Sequence, residues 1–159
     1  MDIHLIWAQD SNGGIGKQGA LPWHISEDLK NFKKLTLNST IVMGRKTWDS
    51  LPFKPLPKRR NIVLSHSTLP DIEAYHSIEQ CIDRLEDEKI EKLFVIGGAA
   101  IYKEFFNHAH YLHITMVNLE QDNIDTFFPI SLNVIKQKFN QTLHQKLSDD
   151  ADYTFWFRK

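Results

Sequence analysis

Only one cysteine occurs among the 159 residues, so no internal disulfide can form and the fold has to hold without cross-links. Long apolar runs are missing too: nothing approaches the roughly 20 apolar residues of a membrane-spanning helix. The start, Met1-Asp2-Ile3-His4-Leu5-Ile6-Trp7, has neither the basic region nor the apolar stretch of a signal peptide, so a cytoplasmic location is expected. An excess of charge of either sign is also absent. With 19 basic against 20 acidic residues the net charge is −1, which does not advertise binding to nucleic acid or to an anionic membrane. Gly14-Ile15-Gly16-Lys17-Gln18-Gly19 has the spacing Gly-x-Gly-x-x-Gly but opens no helical pattern, as the dinucleotide fingerprint requires, and Gly-x-x-x-x-Gly-Lys-Ser/Thr does not occur, so the P-loop is excluded. No Gly-x-Ser-x-Gly elbow is present. The eight histidines are scattered, and His108-Ala109-His110 lacks an acidic or cysteine partner at ligand spacing, so no metal is expected.

What is present reads as one domain, a size suited to a single core. Ile3 to Ala8, Thr40 to Met43, Asn61 to Leu64 and Leu93 to Ile96 are short apolar runs with strand character. Between them lie helical patterns: one over Ile25 to Leu35, one beginning near Thr47, one over Ile78 to Leu85 and one from Ala99 to about Phe106. Such alternation predicts an α/β fold with a parallel sheet. Tyr111 to Val117, Gln141 to Lys146 and Tyr153 to Arg158 look like strands without intervening helices, as expected of antiparallel strands added at one edge. Four of the seven glycines (Gly13, Gly14, Gly16 and Gly19) fall in the loop from Gln9 to Leu21, which predicts mobility there. Leu51 to Pro57 is proline-punctuated and reads as a surface loop. Cys81 shares helical spacing with Ile78, Ile82 and Leu85 and is expected in the core, and Trp156 between Phe155 and Phe157 is expected to pack there rather than stack on a base.

The most telling residue is Asp28. Ile25, Leu29, Phe32 and Leu35 form one helical stripe, and at roughly 100° per residue Asp28 projects between Phe32 and Leu35. A carboxylate on a buried stripe is costly unless it is paired, and its pKa moves easily. The alternative is local. With Ser26 as the N-cap, Asp28 falls in the first turn, where an acid suits the helix dipole without any further role.

In open α/β sheets ligands bind beyond the carboxyl ends of the strands. Three such ends carry groups suited to phosphate. Gly97-Gly98 permits close backbone approach ahead of the helix from Ala99, Gly44-Arg45-Lys46-Thr47 offers two cations and a hydroxyl, and Ser65-His66 adds a hydroxyl and an imidazole. Each alone also fits an ordinary turn or a solvated edge; together they point to a ligand with several phosphates. Lys54, Lys58, Arg59 and Arg60 crowd the loop before Asn61 and could grip a second anion.

These segments, in this order, resemble the bacterial type of dihydrofolate reductase, chromosomal or plasmid-carried. The residues that carry the likeness are Gly14-Ile15-Gly16, Leu21-Pro22-Trp23-His24, Glu27-Asp28-Leu29 with Phe32-Lys33, Met43 to Trp48, Leu56 to Asn61, Val95 to Gly98 with Ile101-Tyr102, and Asp125 to Pro129. The likeness runs from Ile3 to Pro129 and is loose over the last thirty residues. It implies a single-domain α/β fold with an eight-stranded, mostly parallel twisted sheet, an antiparallel C-terminal edge and helices on both faces. It also implies NADPH-dependent reduction of 7,8-dihydrofolate to tetrahydrofolate by a monomer that antifolates such as trimethoprim and methotrexate would target.

By that resemblance Asp28, Trp23, Thr115 and Leu21 form the catalytic group, with Asp28 accepting hydrogen bonds from the pterin 2-amino group and N3. Substrate would meet Ile6, Trp7, Ala8, Leu29, Phe32, Leu51, Leu56, Ile96 and Thr115, with Arg59 on the glutamate carboxylate. NADPH would lie along Ala8, Ile15, Gly16, Gly44, Arg45, Lys46, Thr47, Leu64, Ser65 and His66, then Ile96, Gly97, Gly98, Ala99, Ala100, Ile101, Tyr102 and Thr126. The glycine-rich loop becomes a lid, latched by Asp125 through backbone N–H groups near Gly16. Three positions depart from the family pattern: Trp7 where a small or aliphatic residue is common, Pro52-Phe53 where glycine is usual, and Ala100 where many relatives carry a polar side chain. Trp7 therefore alters either the pocket wall or a neighbouring packing layer. Two rivals remain: a related pteridine or pyrimidine reductase, which should lack the combination of Asp28, Phe32 and Arg59, and a non-catalytic phosphate-binding module, which leaves Asp28 unexplained.

Overall fold

The computed structural model describes all 159 residues. In chain order its elements are β1 (Asp2–Gln9), β2 (Gly14–Gly16), α1 (Ser26–Thr36), β3 (Thr40–Gly44), α2 (Arg45–Ser50), β4 (Arg60–Leu64), β5 (Glu73–Tyr75), α3 (Ile78–Asp87) and β6 (Lys92–Val95). They continue with α4 (Ala99–Phe105), a 3₁₀ turn (Phe106–His108), β7 (Tyr111–Val117), β8 (Thr126–Phe127), α5 (Leu132–Lys138), β9 (Phe139–Ser148) and β10 (Ala151–Arg158). Eight strands form one sheet in the order β5-β4-β3-β6-β1-β7-β10-β9, while β2 pairs only with β8. From β5 to β7 every neighbour is parallel; β10 runs antiparallel to both β7 and β9. No helix is long and apolar enough to cross a membrane.

Central strands covered on both faces read as unbroken apolar runs, and all five residues of β3 are buried. On one face Leu5, Trp7, Val42, Ile62 and Val95 pack beneath Cys81 and Leu85 of α3 and Tyr102 and Phe105 of α4. On the other, Ile6, Ile41, Met43, Val63 and Phe94 lie under Trp48, Phe32 and Leu35. Alternation along β1 therefore sends Ile6 and Ala8 one way and Trp7 the other. Cys81 is in the core as expected, and burial pushes its thiol up to about 12. Trp156 is buried as well, its indole N–H donating to Thr154 Oγ1 at 2.8 Å.

Several local expectations change. The eighth strand is β5, three half-buried residues too few to show a period. The α1 N-cap is Ile25, not Ser26: Ile25 is extended and buried, and its carbonyl accepts the N–H of Asp28 and of Leu29, both at 3.1 Å. Helix α2 begins at Arg45, two residues before Thr47, because Gly44 is extended and frees the chain to turn at once. The glycine loop is not structureless: β2 pairs with β8, and Asp10 organises the preceding turn by accepting from Asn12 N at 2.9 Å and Gly14 N at 2.8 Å. Helix α5, with Ser131 as its cap, was not legible in the sequence.

Candidate active site

Asp28 sits in the first turn of α1, and its only side-chain partner is the Thr115 hydroxyl, which donates to Oδ1 at 2.7 Å from β7, 87 residues away. Burial raises the Asp28 pKa above the usual carboxylate range; the Thr115 bond opposes this and is the smaller effect. A carboxylate serving the helix end would accept backbone N–H groups and have its pKa lowered. The dipole reading therefore fails on both counts. On the same side of the sheet Ile6, Phe32, Leu51, Leu56 and Ile96 belong to one apolar layer, and Ala8 packs with Trp23 and Ile25 ahead of α1 in another. The Trp23 indole nitrogen is buried with no hydrogen-bond partner in the protein. Leu21 and Leu29 are exposed apolar residues on either side of it in sequence.

At the strand ends the turns after β3 and β6 are tied together, with Gly44 N–H donating to Gly97 O at 2.8 Å. Gly97 has φ +130°, and a Cβ there would lie 3.4 Å from Thr47 Oγ1 and from the Tyr102 hydroxyl. A Cβ on Gly44 would come within 2.9 Å of Ile101 Cγ1. Bare backbone is thus enforced where the two turns meet. The Tyr102 hydroxyl donates to the Ile6 carbonyl at 2.7 Å, joining this platform to the strand beside Asp28. The first-turn amides of α2 and α4 have no intrahelical acceptor, and Arg45, held by Asp49 at 3.1 Å, and Lys46 are exposed beside them. Past β4, Ser65 Oγ accepts from Ser67 N at 3.1 Å, and the His76 Nδ1 atom lies 3.0 Å from the Ser65 carbonyl oxygen. Sequence reasoning found Ser65 and His66 but not His76, which follows the three-residue strand it also missed.

The two adjacent arginines have different surroundings. Arg60 is bidentate to Glu73 at 2.7 Å and meets Glu88 at 2.6 Å, so it knits β4 to β5 and α3. Arg59 meets no carboxylate; it donates to Pro57 O and Thr36 Oγ1 and lies 6.0 Å from the Phe32 ring centroid. Its burial disfavours the charged form. Lys54 reaches the carbonyls of Trp48 and Asp49 at the end of α2, leaving Arg59 as the cation beside Phe32.

Two expectations are corrected or refined. Trp7 does not wall the Asp28 pocket: its ring stacks on Phe128 at 3.7 Å and 7° on the opposite face, and its N–H donates to Gln9 Oε1 at 2.8 Å. Only its backbone faces the site. Asp125 does bond the glycine loop: Oδ2 accepts from Gln18 N–H at 2.8 Å, and Asp125 N–H donates to Gly16 O at 3.1 Å. The Gln18 amide, helped by the Thr126 hydroxyl, holds the Asp125 carboxyl below its usual range.

Sheet, glycine platform and buried acid define an α/β domain arranged to hold a phosphate-bearing ligand beside a desolvated carboxylate. A family model described as dihydrofolate reductase matches residues 2–159. A dihydrofolate reductase of Mycobacterium leprae is 48% identical over 106 residues, 64% of this chain and 63% of that relative. One from Neisseria meningitidis serogroup B is 42% identical over 158 residues, covering 98% and 96%. A solved dihydrofolate reductase from Enterococcus faecalis, complexed with NADP(H) and RAB-propyl, superposes with a TM-score of 0.84 at 33% identity, covering 99% of this chain and 96% of that one. The chain belongs to the dihydrofolate reductase family.

Proposed function

We propose that this chain reduces 7,8-dihydrofolate to 5,6,7,8-tetrahydrofolate with NADPH, and that Asp28 is the carboxylate anchoring the pterin. The observation that carries this reading is an acid raised in pKa, bonded only to Thr115 and left without a cationic partner. Such a group suits a ligand that offers an N–H and an amino group side by side. Asp28 fixes the ring and its negative charge favours a proton at N5. Asp28 is not itself the donor: the unpartnered Trp23 N–H suits an ordered water between protein and pterin, and water delivers the proton.

The residues fit NADPH. Gly97 and Gly98 leave space that a Cβ would fill, and Arg45, Lys46, Thr47, Ser65, His66 and His76 surround the strand ends with donors. When bound, NADPH supplies the hydride. Tyr102 braces the Ile6 carbonyl; Ala8, Ile15 and Gly16 would hold the nicotinamide end, and Leu64 with Ala99, Ala100 and Ile101 would line the remainder. Arg59 grips the substrate's glutamate carboxylate, while Leu29, Phe32, Leu51 and Leu56 cover the ring and its benzoyl group. The chain acts as a monomer of one domain, and antifolates compete at Asp28.

Oxidation of NADPH followed at 340 nm with dihydrofolate tests the assignment, and no turnover by the wild type overturns it. Arg59→Ala is expected to raise the KM for dihydrofolate about tenfold or more with little change in kcat, because the lost charge-assisted bond holds the tail away from the reacting atoms. An unchanged KM removes Arg59 from the site. Asp125→Ala should slow hydride transfer roughly tenfold in stopped-flow measurements, since an unlatched lid admits water; an unchanged rate sinks the latch.

A further inference from the structure

A second polar cluster lies on the Asp28 side of the sheet. His4 Nδ1 is 2.8 Å from His113 Nε2, and His113 Nδ1 is 2.6 Å from the Tyr153 hydroxyl; all three residues are buried. The rings pack against one another and against Phe94, Tyr111 and Phe155, with His4 and Tyr111 stacked at 4.7 Å. His4 Nε2 has no partner, so the chain of bonds ends there.

The register places this cluster beside the threonine that bonds the acid. Thr115 pairs with Ala8 on one side and with Tyr153 on the other, and His113 precedes Thr115 on the same face of β7. The chain thus spans β1, β7 and β10, the three strands that flank or carry the Thr115 hydroxyl. A buried polar chain of this length is costly compared with aromatic packing, and it fixes one arrangement of the strands that carry it. Burial pushes both imidazoles below the ordinary histidine range, helped by the nearby Lys92 and, at His113, by the His4 ring, so the chain is uncharged at neutral pH. The other charged groups that act on it are Asp2 on β1 and His110 ahead of β7, while Asp28 reaches this face from α1 through Thr115.

We propose that the His4–His113–Tyr153 chain is a positioning device for the catalytic acid: by fixing β7 between β1 and β10 it aims the Thr115 hydroxyl at Asp28. The inference rests on the assignment of Asp28 as the pterin anchor only for its functional meaning; the structural coupling stands without it. Its consequence is specific. Breaking the chain weakens the Thr115 bond, the one contact that draws the Asp28 pKa downward, so Asp28 should become harder to ionise.

The test is a double-mutant cycle read by ¹³C NMR titration of the Asp28 carboxyl in the full-length protein, which needs no turnover. Thr115→Val should raise the Asp28 pKa by roughly one pH unit. Tyr153→Phe, which deletes one oxygen, and His113→Phe should each raise it in the same direction. In the Thr115→Val background neither should add anything, because the contact through which they act is gone. A pKa unmoved by Tyr153→Phe, or a shift that persists without the Thr115 hydroxyl, overturns the proposal; Tyr153→Phe keeps the test decisive if His113→Phe fails to fold. With substrate, Tyr153→Phe should raise the KM for dihydrofolate severalfold and leave that for NADPH unchanged. A wild type inactive toward dihydrofolate would remove the functional reading and leave the titration result standing.

Discussion

Asp28→Asn is expected to cut kcat/KM for dihydrofolate by about 10²–10³-fold while making the ligand-free protein more stable. The amide keeps the shape of the side chain and can still accept from the Thr115 hydroxyl, but it carries no charge to favour a proton at N5. The stability gain follows from the raised pKa. The native state holds the Asp28 proton more tightly than the unfolded chain does, so the group stabilises most in acid, below the unfolded value of 3.8, and that contribution is lost as pH climbs through the native value. Above its native pKa the wild type carries an ionised, desolvated carboxylate that the asparagine variant lacks. Thermal melts at pH 7 should show the variant higher by roughly 2–4 °C for each kcal/mol recovered, with the difference vanishing toward pH 3. A variant that melts lower at pH 7 would contradict a strained acid. In single-turnover hydride transfer the wild type should slow as pH rises above the apparent pKa of the bound complex. A flat profile from about pH 5 to 9 counts against the mechanism.

The second large effect is on folding. Trp7→Ala removes an indole stacked on Phe128 and tilted against Tyr102 in the buried layer, and leaves the Gln9 amide without its donor. The cost should be about 3–5 kcal/mol in denaturant unfolding. The KM for dihydrofolate should change little at a temperature where the variant stays folded. A tenfold rise would mean about 1.4 kcal/mol of lost binding and would return Trp7 to the pocket wall.

Trp7 also marks where sequence reading works and where it stops. Period-two alternation places Ile6 and Ala8 opposite Trp7, so its exclusion from the pocket was implicit in β1, but the likeness to relatives drew attention to its neighbourhood rather than its direction. Asp28 was legible because a helix displays its period over many residues and a charge on the apolar stripe breaks it. Thr115 was reached only through the family likeness: a threonine in a strand is ordinary by pattern until the fold brings α1 across it. His76 depended on β5, which is too short for any pattern. The parallel core, made of contiguous apolar runs, was clear; β2, β8 and α5 are brief or polar and take shape from tertiary contacts. Nothing in the spacing of His4, His113 and Tyr153 signals that they meet, since 40 and 109 residues separate the bonded pairs.

The Asp125 latch has a genetic asymmetry built into it. On the lid its partner is a peptide N–H, so nearly any side chain at position 18 leaves the bond available. Gln18 has φ 51°, which proline, the one residue lacking that N–H, cannot adopt. The side chain at position 18 can therefore change, within what its φ of 51° allows, without removing the donor. The side-chain half of this bond lies wholly in Asp125, so a substitution that removes the bond by changing a side chain should arise there rather than at position 18.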